Sequence, residues 1–239
     1  MGKDTGIEYV DSTWNPWMGC TKVSEGCRHC YMFRWAKRTG RDPTVVTKSR
    51  TTFRDPLKWK EPRRILTCSL SDFFHEDVPA EWRRDAWEIT FHAKEHTFMV
   101  LTKRPENMPD MLPAGWIEGM WKYQPNIWLG VSVENSDYIF RIDHLREVPA
   151  QVKFLSLEPL LGPLSGLDLS GIDLVIVGGE SGSTRIMQPE WVQDIRDQCI
   201  GARVPFTFKQ WGGKSRDPQG IWGGKKLDGR TWSDMPNDQ

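Results

Sequence analysis

Short runs of β-branched, Leu and Phe residues recur along the chain: IEYV at 7–10, RILTCSL at 64–70, TFMVLT at 97–102, NIWLGVSV at 126–133, VKFLSL at 152–157, LVIVGG at 174–179 and PFTFKQ at 205–210. Continuous apolar runs of this length predict buried strands. Between them, helical patterns lie at about 31–39, 80–94, 105–112, 136–147 and 189–200, several opened by Pro, Ser or Asp in the manner of helix starts. Strand and helix alternate, which predicts an α/β fold of parallel βαβ units, a full or partial TIM-like (β/α) barrel of about six or seven strands. Periodicity alone does not separate a barrel from an open sheet.

Composition narrows the class. The chain has 239 residues, 38% hydrophobic and 27% charged, enough apolar content for one domain with a sizeable core. The 16 prolines and 21 glycines are scattered, so neither a linker nor a repeat is visible. A single domain over 1–239 is expected, with a Gly/Trp/Lys-rich extension at about 210–239. No apolar run approaches the ~18 residues of a membrane helix, and MGKDTGIEYVDSTW resembles neither a signal nor a transit peptide. A cytoplasmic protein with no membrane partner is the expectation. Net charge is +0, so the overall balance says nothing about partners.

Polar residues cluster just after the predicted strands. Ser69, Ser71 and Asp72 follow the second, Lys103 and Arg104 the third, and Ser132, Glu134 and Asn135 the fourth. Glu158 follows the fifth, and Gly178, Gly179, Glu180 and Ser181 the sixth. In parallel α/β architecture such positions share one rim, where ligands bind. A charged residue at one strand end is ordinarily a solvated loop residue or a cap; the repetition makes a shared site the better reading.

Three of the five cysteines, Cys20, Cys27 and Cys30, fall within TWNPWMGCTKVSEGCRHCYMFRWAKR. That density suits a metal site in a reducing compartment better than a disulfide framework. Three thiolates on a cubane leave the fourth iron free for an exogenous ligand. A structural zinc site would want a fourth ligand, for which His29 or His75 is available, and both readings stay open on spacing alone. Cys68 and Cys199 stand in apolar surroundings and read as packing residues.

The combination Thr13-Trp14-Asn15-Pro16, Gly19-Cys20 and Gly26-Cys27-x2-Cys30-Tyr31, with SLSDFFHE at 69–76, LTKRPE at 101–106, SLEPLLGP at 156–163 and VGGESG at 177–182, resembles a phage and bacterial family of radical S-adenosylmethionine-like proteins. The resemblance covers nearly the whole chain. One departure from the superfamily concerns the first cysteine gap, which is six residues here instead of the usual three. The resemblance implies a [4Fe–4S] cluster on Cys20, Cys27 and Cys30, S-adenosylmethionine as cofactor, and a flavodoxin or ferredoxin as electron donor. It implies cofactor contacts from His29, in the place of an adenine-side aromatic, from Ser69, Ser71 and Asp72 at the methionine amino group, and from Ser132, Glu134 and Asn135 at the ribose. Gly178 and Gly179 would admit close approach of the adenosyl moiety. No catalytic residue is identified; Glu158, Glu180 and Lys103 are the candidates. The chemistry implied is electron transfer into the sulfonium, release of a 5′-deoxyadenosyl radical and hydrogen abstraction from carbon, for which the protein supplies orientation and exclusion of water.

The substrate is less legible. Residues 34–64 hold eleven Lys and Arg against three acids, with Phe53 and Trp59 among them. Arg50, Arg54 and Lys58 are candidates for phosphate contacts with DNA, although a solvated surface gives the same pattern. The phage association of the resembled family implies thymine hypermodification in DNA, for example isomerisation of an amino-acid adduct on the thymine methyl carbon, with the base flipped out of the duplex. A radical enzyme acting on a small metabolite or peptide, and a zinc-stabilised nucleic-acid-binding module, are the alternatives.

Overall fold

The computed structural model describes residues 5–117, 124–183 and 185–236. Among these, the strands are β1 (Ser12–Trp14), β2 (Trp17–Met18), β3 (Thr47–Lys48), β4 (Arg64–Thr67), β5 (Thr97–Thr102), β6 (Ile127–Ser132), β7 (Val152–Leu157), β8 (Leu174–Gly178) and β9 (Phe206–Gln210). The α-helices are α1 (Tyr31–Arg38), α2 (Ala80–His92), α3 (Met108–Met111), α4 (Phe140–Glu147) and α5 (Pro189–Ala202). Seven strands form one sheet in the order β1-β4-β5-β6-β7-β8-β9, every neighbouring pair parallel. β2 and β3 make a separate antiparallel pair.

The strand order answers the question that periodicity left open. It follows the chain with no reversal, so each crossover returns to the same side of the sheet. Ala86, Trp87 and Ile89 of α2, Ile142 and Leu145 of α4, and Val192, Ile195 and Cys199 of α5 all pack in one cluster with Ile65, Phe98, Leu129, Leu155, Val175 and Phe208 of the strands. The alternate strand residues Leu66, Met99, Trp128, Phe154, Leu174 and Ile176 form a second cluster on the helix-free face with Tyr9 and Val10. Helices on one face and a small apolar filling on the other make the sheet a curled half-barrel, the partial form of the expected architecture.

Several boundaries differ from expectation. The run 7–10 is a turn, closed by the Val10 N–H on the Ile7 carbonyl at 3.2 Å, and the strand begins at Ser12. Asp11 meets Arg64 at the start of β4 twice, its N–H donating to the Arg64 carbonyl at 2.8 Å and its carboxylate accepting the Arg64 N–H at 2.7 Å, while Tyr9 and Val10 before it plug the inner face. The strand at 64–70 stops at Thr67 because Cys68 turns left-handed, with φ of 62°. At 105–112 and 136–147 the helical segments open as 3-10 turns, Pro105–Asn107 and Ser136–Tyr138, before α3 and α4.

The C-terminal extension, described as far as residue 236, folds back on the edge strand. The Phe208 N–H donates to the Trp232 carbonyl at 2.9 Å and the Trp232 ring stands edge-on to Phe206 at 5.7 Å. Lys225 pairs with Glu8, and Met235 and Ile7 both pack on the inner cluster. Covering β9 removes an edge that would otherwise offer unpaired backbone groups to another chain.

Inside the half-barrel, Gly130 of β6 leaves room for the Phe154 ring of β7. A Cβ at Gly130 would stand 2.5 Å from two carbons of that ring. Gly130→Ala is expected to cost about 1–3 kcal/mol by overpacking, measured by urea denaturation. In a Phe154→Leu background the same change should cost much less, and an equal cost in both backgrounds would show that the ring is not the obstacle.

Candidate functional site

Parallel strands bring their C-terminal ends to one rim, and the polar residues predicted there gather on it. The cysteine-bearing segment lies over this rim, between β2 and β3 in the chain. Gly19 has φ of +107°, and a Cβ would collide with the Val45 carbonyl, so the chain turns under Val45 only with glycine there. The Ser71 hydroxyl donates to the Gly19 carbonyl at 2.6 Å and the Cys20 N–H donates to the Pro43 carbonyl at 2.8 Å, which orients the first cysteine. Cys27 ends a 3-10 turn, Glu25–Cys27, and Cys30 caps α1. Cys20 and Cys30 are partly buried against one small cluster that contains Met18, Met32, Ala36 and Leu70. All five cysteines are free thiols.

The electrostatics of these thiols bear on what they hold. Burial, with Asp72 nearby, pushes the Cys20 thiol up to about 12, against the opposing pull of the Arg104 guanidinium. Burial also raises Cys30, while the Met32 and Phe33 N–H groups at the start of α1 and the Lys103 ammonium favour its thiolate. A bound cationic group supplies the charge that such buried thiolates lack. Among the described residues no group of three His, Cys, Asp or Glu side chains is placed to hold a single metal ion. A cubane asks for a different arrangement, since each thiolate holds a different iron and the sulfurs stand farther apart than the ligands of one ion. Three thiols with the cations Arg104 and Lys103 beside them are, by chemistry, a donor set that a cluster would use. Of the histidines named as a fourth zinc ligand, His75 has Nε2 at 3.2 Å from the Thr21 nitrogen and Nδ1 at 3.1 Å from the Asp77 nitrogen, one of the two accepting, and His29 has its Nδ1 at 3.0 Å from Glu180.

Three buried carboxylates tie the rim together. Glu134, 0% exposed, accepts from Ser24 at 2.7 Å, from Lys103 at 3.0 Å and from Arg141 at 2.8 Å. Burial alone would raise its pKa, but Lys103 and Arg141 outweigh it and hold the carboxyl below its ordinary value. Gly26, next to Cys27, has no side chain because a Cβ there would run into the Glu134 carboxylate. Asp72 accepts from the Thr102 hydroxyl at 2.6 Å and from the N–H groups of Phe74 and Lys103, each at 3.0 Å. Glu180 receives Arg185 Nε at 2.8 Å and His29 at 3.0 Å, and Arg185 also reaches Glu25 at 3.1 Å, which stitches the cysteine loop to the end of β8.

The other candidates divide between the rim and the framework. Glu158 accepts from Tyr9 at 3.2 Å and Ser156 at 3.1 Å and pairs with Lys209 at 2.9 Å, on the inner face of the half-barrel. Gly178 is bare where a Cβ would strike Glu158, and Gly179 where one would strike the Trp211 carbonyl. Ser69 is bonded to Asn15 at 3.0 Å, and Ser132 is buried with its carbonyl on Arg141 at 2.8 Å. Asn135 caps its own turn by accepting the Asp137 N–H at 3.0 Å. Arg104, Arg141, Arg185, Lys209 and Tyr9 enter the site without having been singled out in the sequence as site residues; for Arg104 the only sequence signal was its place at a strand end.

Arg50, Arg54 and Lys58 stand apart from the cysteines, along an open groove of about 1640 Å³. Arg41, Lys48, Trp35 and Trp82 line it with them. Lys48 lies 4.5 Å from the Phe53 ring centre and pairs with Asp85 at 2.8 Å, and Lys58 pairs with Asp55 at 2.8 Å. A second recess of about 250 Å³ shares Met18, Trp35, Arg41 and Thr47 with this groove and reaches Gly19 and Met32 beside the cysteine loop.

Fold and site together define a parallel half-barrel with three free thiols and paired charges at the C-terminal ends of its strands. The chain belongs to the family described as "Protein of unknown function (DUF5131)", which matches residues 4–236. No curated protein matches it. Among solved structures, "Spore photoproduct lyase complexed with dinucleoside spore photoproduct" is similar with a TM-score of 0.44 and 13% identity, over 76% of this chain and 58% of that one. A likeness of that degree does not bear on activity. No helix among the described residues is long and apolar enough to cross a membrane.

Arg185, Ser183 and His29 hold the Glu180 carboxyl at about 2 although burial opposes them. A depressed folded-state pKa contributes stability above the unfolded value of about 4.3, and that contribution disappears as pH falls through about 2. The stability difference between the natural chain and Glu180→Gln is therefore expected to be constant above about pH 5 and to shrink toward pH 2. Urea denaturation across that range checks this; a difference that grows with acidification would contradict the pairing.

Proposed function

We propose that this chain is a radical S-adenosylmethionine enzyme that holds a [4Fe–4S] cluster on Cys20, Cys27 and Cys30 and acts on thymine in phage DNA, for example by isomerising an amino-acid adduct on the methyl carbon. The observation that carries the reading is the set of three free thiols on the open rim of a parallel half-barrel, beside Lys103 and Arg104. The motif resemblance in the sequence supports the same class. Reduced by a flavodoxin or ferredoxin in the cytoplasm and loaded with S-adenosylmethionine, such a cluster supplies a 5′-deoxyadenosyl radical that abstracts hydrogen from carbon.

The residues of the chain have plain tasks in this reading. Glu134 and Glu180 hold the cysteine loop to the strand ends through Ser24, Arg185 and His29. Trp128, Phe154 and Tyr9 fill the inner face and keep water from the mouth. His29, 43% exposed in its side chain, is available to a cofactor at the rim. Arg50 and Arg54 are exposed on the groove, where they would meet phosphates, and Trp35 and Trp82 offer faces for stacking.

Anaerobic reconstitution should load about four irons and four sulfides per chain, and the loaded protein with a strong reductant should release 5′-deoxyadenosine from S-adenosylmethionine. Alanine at Cys20, Cys27 or Cys30 should abolish both, while serine at the buried Cys68 or Cys199 should abolish neither. Stoichiometric zinc without visible absorbance would sink the cluster.

The substrate is tested separately by DNA binding at several salt concentrations. Reversing Arg50 and Arg54 to Glu should weaken affinity and flatten the slope of log K against log salt by roughly 0.9 per lost phosphate contact, with iron content unchanged. Deuterium moving from labelled thymine side chains into 5′-deoxyadenosine would support DNA as substrate. Turnover on a small metabolite without DNA binding at low salt would remove DNA and leave the radical chemistry.

A further inference from the structure

Arg104 has 2% of its side chain exposed, and all three of its nitrogens are committed. Nε donates to Glu76 at 2.9 Å, and NH2 donates to the Thr21 carbonyl at 3.0 Å and the Thr21 hydroxyl at 2.6 Å. NH1 lies 3.5 Å from Cys20 Sγ and 3.5 Å from Asp72. A long flexible cation is thus held in one place by partners on both sides of the first cysteine: Thr21 follows Cys20 in the chain, and Asp72 and Glu76 lie in the loop after β4. The Arg104 N–H also donates to the Thr102 hydroxyl at 2.8 Å, so the guanidinium grows from the end of β5 at a set angle. A planar fork with five N–H donors suits this task and an ammonium does not.

We propose that Arg104 is a positioning residue for the cluster: it aims Cys20 at the iron, and its N–H···S bond stabilises the reduced state. The inference rests on the cluster reading above. A hydrogen bond from a buried cation to a ligating sulfur favours the form with more negative charge, so it raises the midpoint potential. At Cys27 the Ser24 hydroxyl stands 3.5 Å from the sulfur, but its proton is donated to Glu134 at 2.7 Å. Cys30 receives backbone N–H groups of Met32 and Phe33, so among the described residues Cys20 is the one of the three with a charged donor directly on its sulfur.

The test uses the reconstituted full chain and reads iron, sulfide and the potential, the last by anaerobic redox titration followed by electron paramagnetic resonance. Arg104→Lys keeps the charge and loses the fork, and Arg104→Met loses both. The expected order of midpoint potentials is natural chain highest, Arg104→Lys next and Arg104→Met most negative. Three coincident potentials in iron-loaded proteins would overturn the inference and leave the cluster standing. Iron-free natural chain would defeat the cluster reading and the inference with it. If either variant fails to fold, the natural chain labelled with 15N-arginine decides: electron–nuclear double resonance of the reduced cluster should show a nitrogen coupling, and its absence overturns the proposal.

Discussion

Glu134 is charged where there is no solvent to receive the charge, and the layout of the rim follows from what that requires. Arg141 answers it from α4, Lys103 from the end of β5 and Ser24 from the cysteine loop, with Gly26 bare so that the loop can approach. Breaking a buried pair by removing one partner costs about 3–5 kcal/mol because the other charge is stranded. An exposed pair such as Arg28–Glu25 contributes about 0–1 kcal/mol. The difference in scale explains why Glu134 holds the loop over the rim, which has little regular structure of its own, more firmly than an exposed pair on its surface does.

Asp72 and Glu180 repeat the device after β4 and β8, two strands to either side of β6. Asp72 joins the ends of β4 and β5 through Thr102 and two backbone N–H groups, and the Asn15 side chain accepts the Leu70 N–H at 2.7 Å to bring the loop after β1 into the same joint. Glu180 joins the end of β8 to His29 and, through Arg185, to Glu25. Apolar contacts could bury as much area but would not fix direction. Directional bonds to paired charges fix the loop that carries the three thiols against the strand ends.

The groove along Arg50 and Arg54 stands in a different regime. Its arginines Arg50 and Arg54 are exposed, so they cost little to maintain and their field is screened by salt. The groove shares Trp35 and Arg41 with the smaller recess that reaches Gly19.

The alternation of strands and helices was legible in the sequence because runs such as LVIVG at β8 and TFMVLT at β5 are local and buried on both faces. The cysteine trio and the polar strand ends were legible for the same reason, as short-range patterns. The first strand was not: IEYV carries strand residues, yet it closes as a turn and spends Tyr9 and Val10 on the inner cluster. Nor did spacing distinguish an open sheet from a half-barrel, since that depends on which strands pair. Pairings such as Ser24 with Glu134, 110 residues apart, and His29 with Glu180, 151 apart, are chosen only when the chain has closed. The sequence by itself determined the type of the longer elements, such as β5, β8, α2 and α5, and the residues able to do chemistry, because propensity and hydrophobic period act over a few residues. The tertiary structure decided which side chains meet at the rim and which, like Asp72, are spent inside the framework, because buried charges choose partners by distance in space.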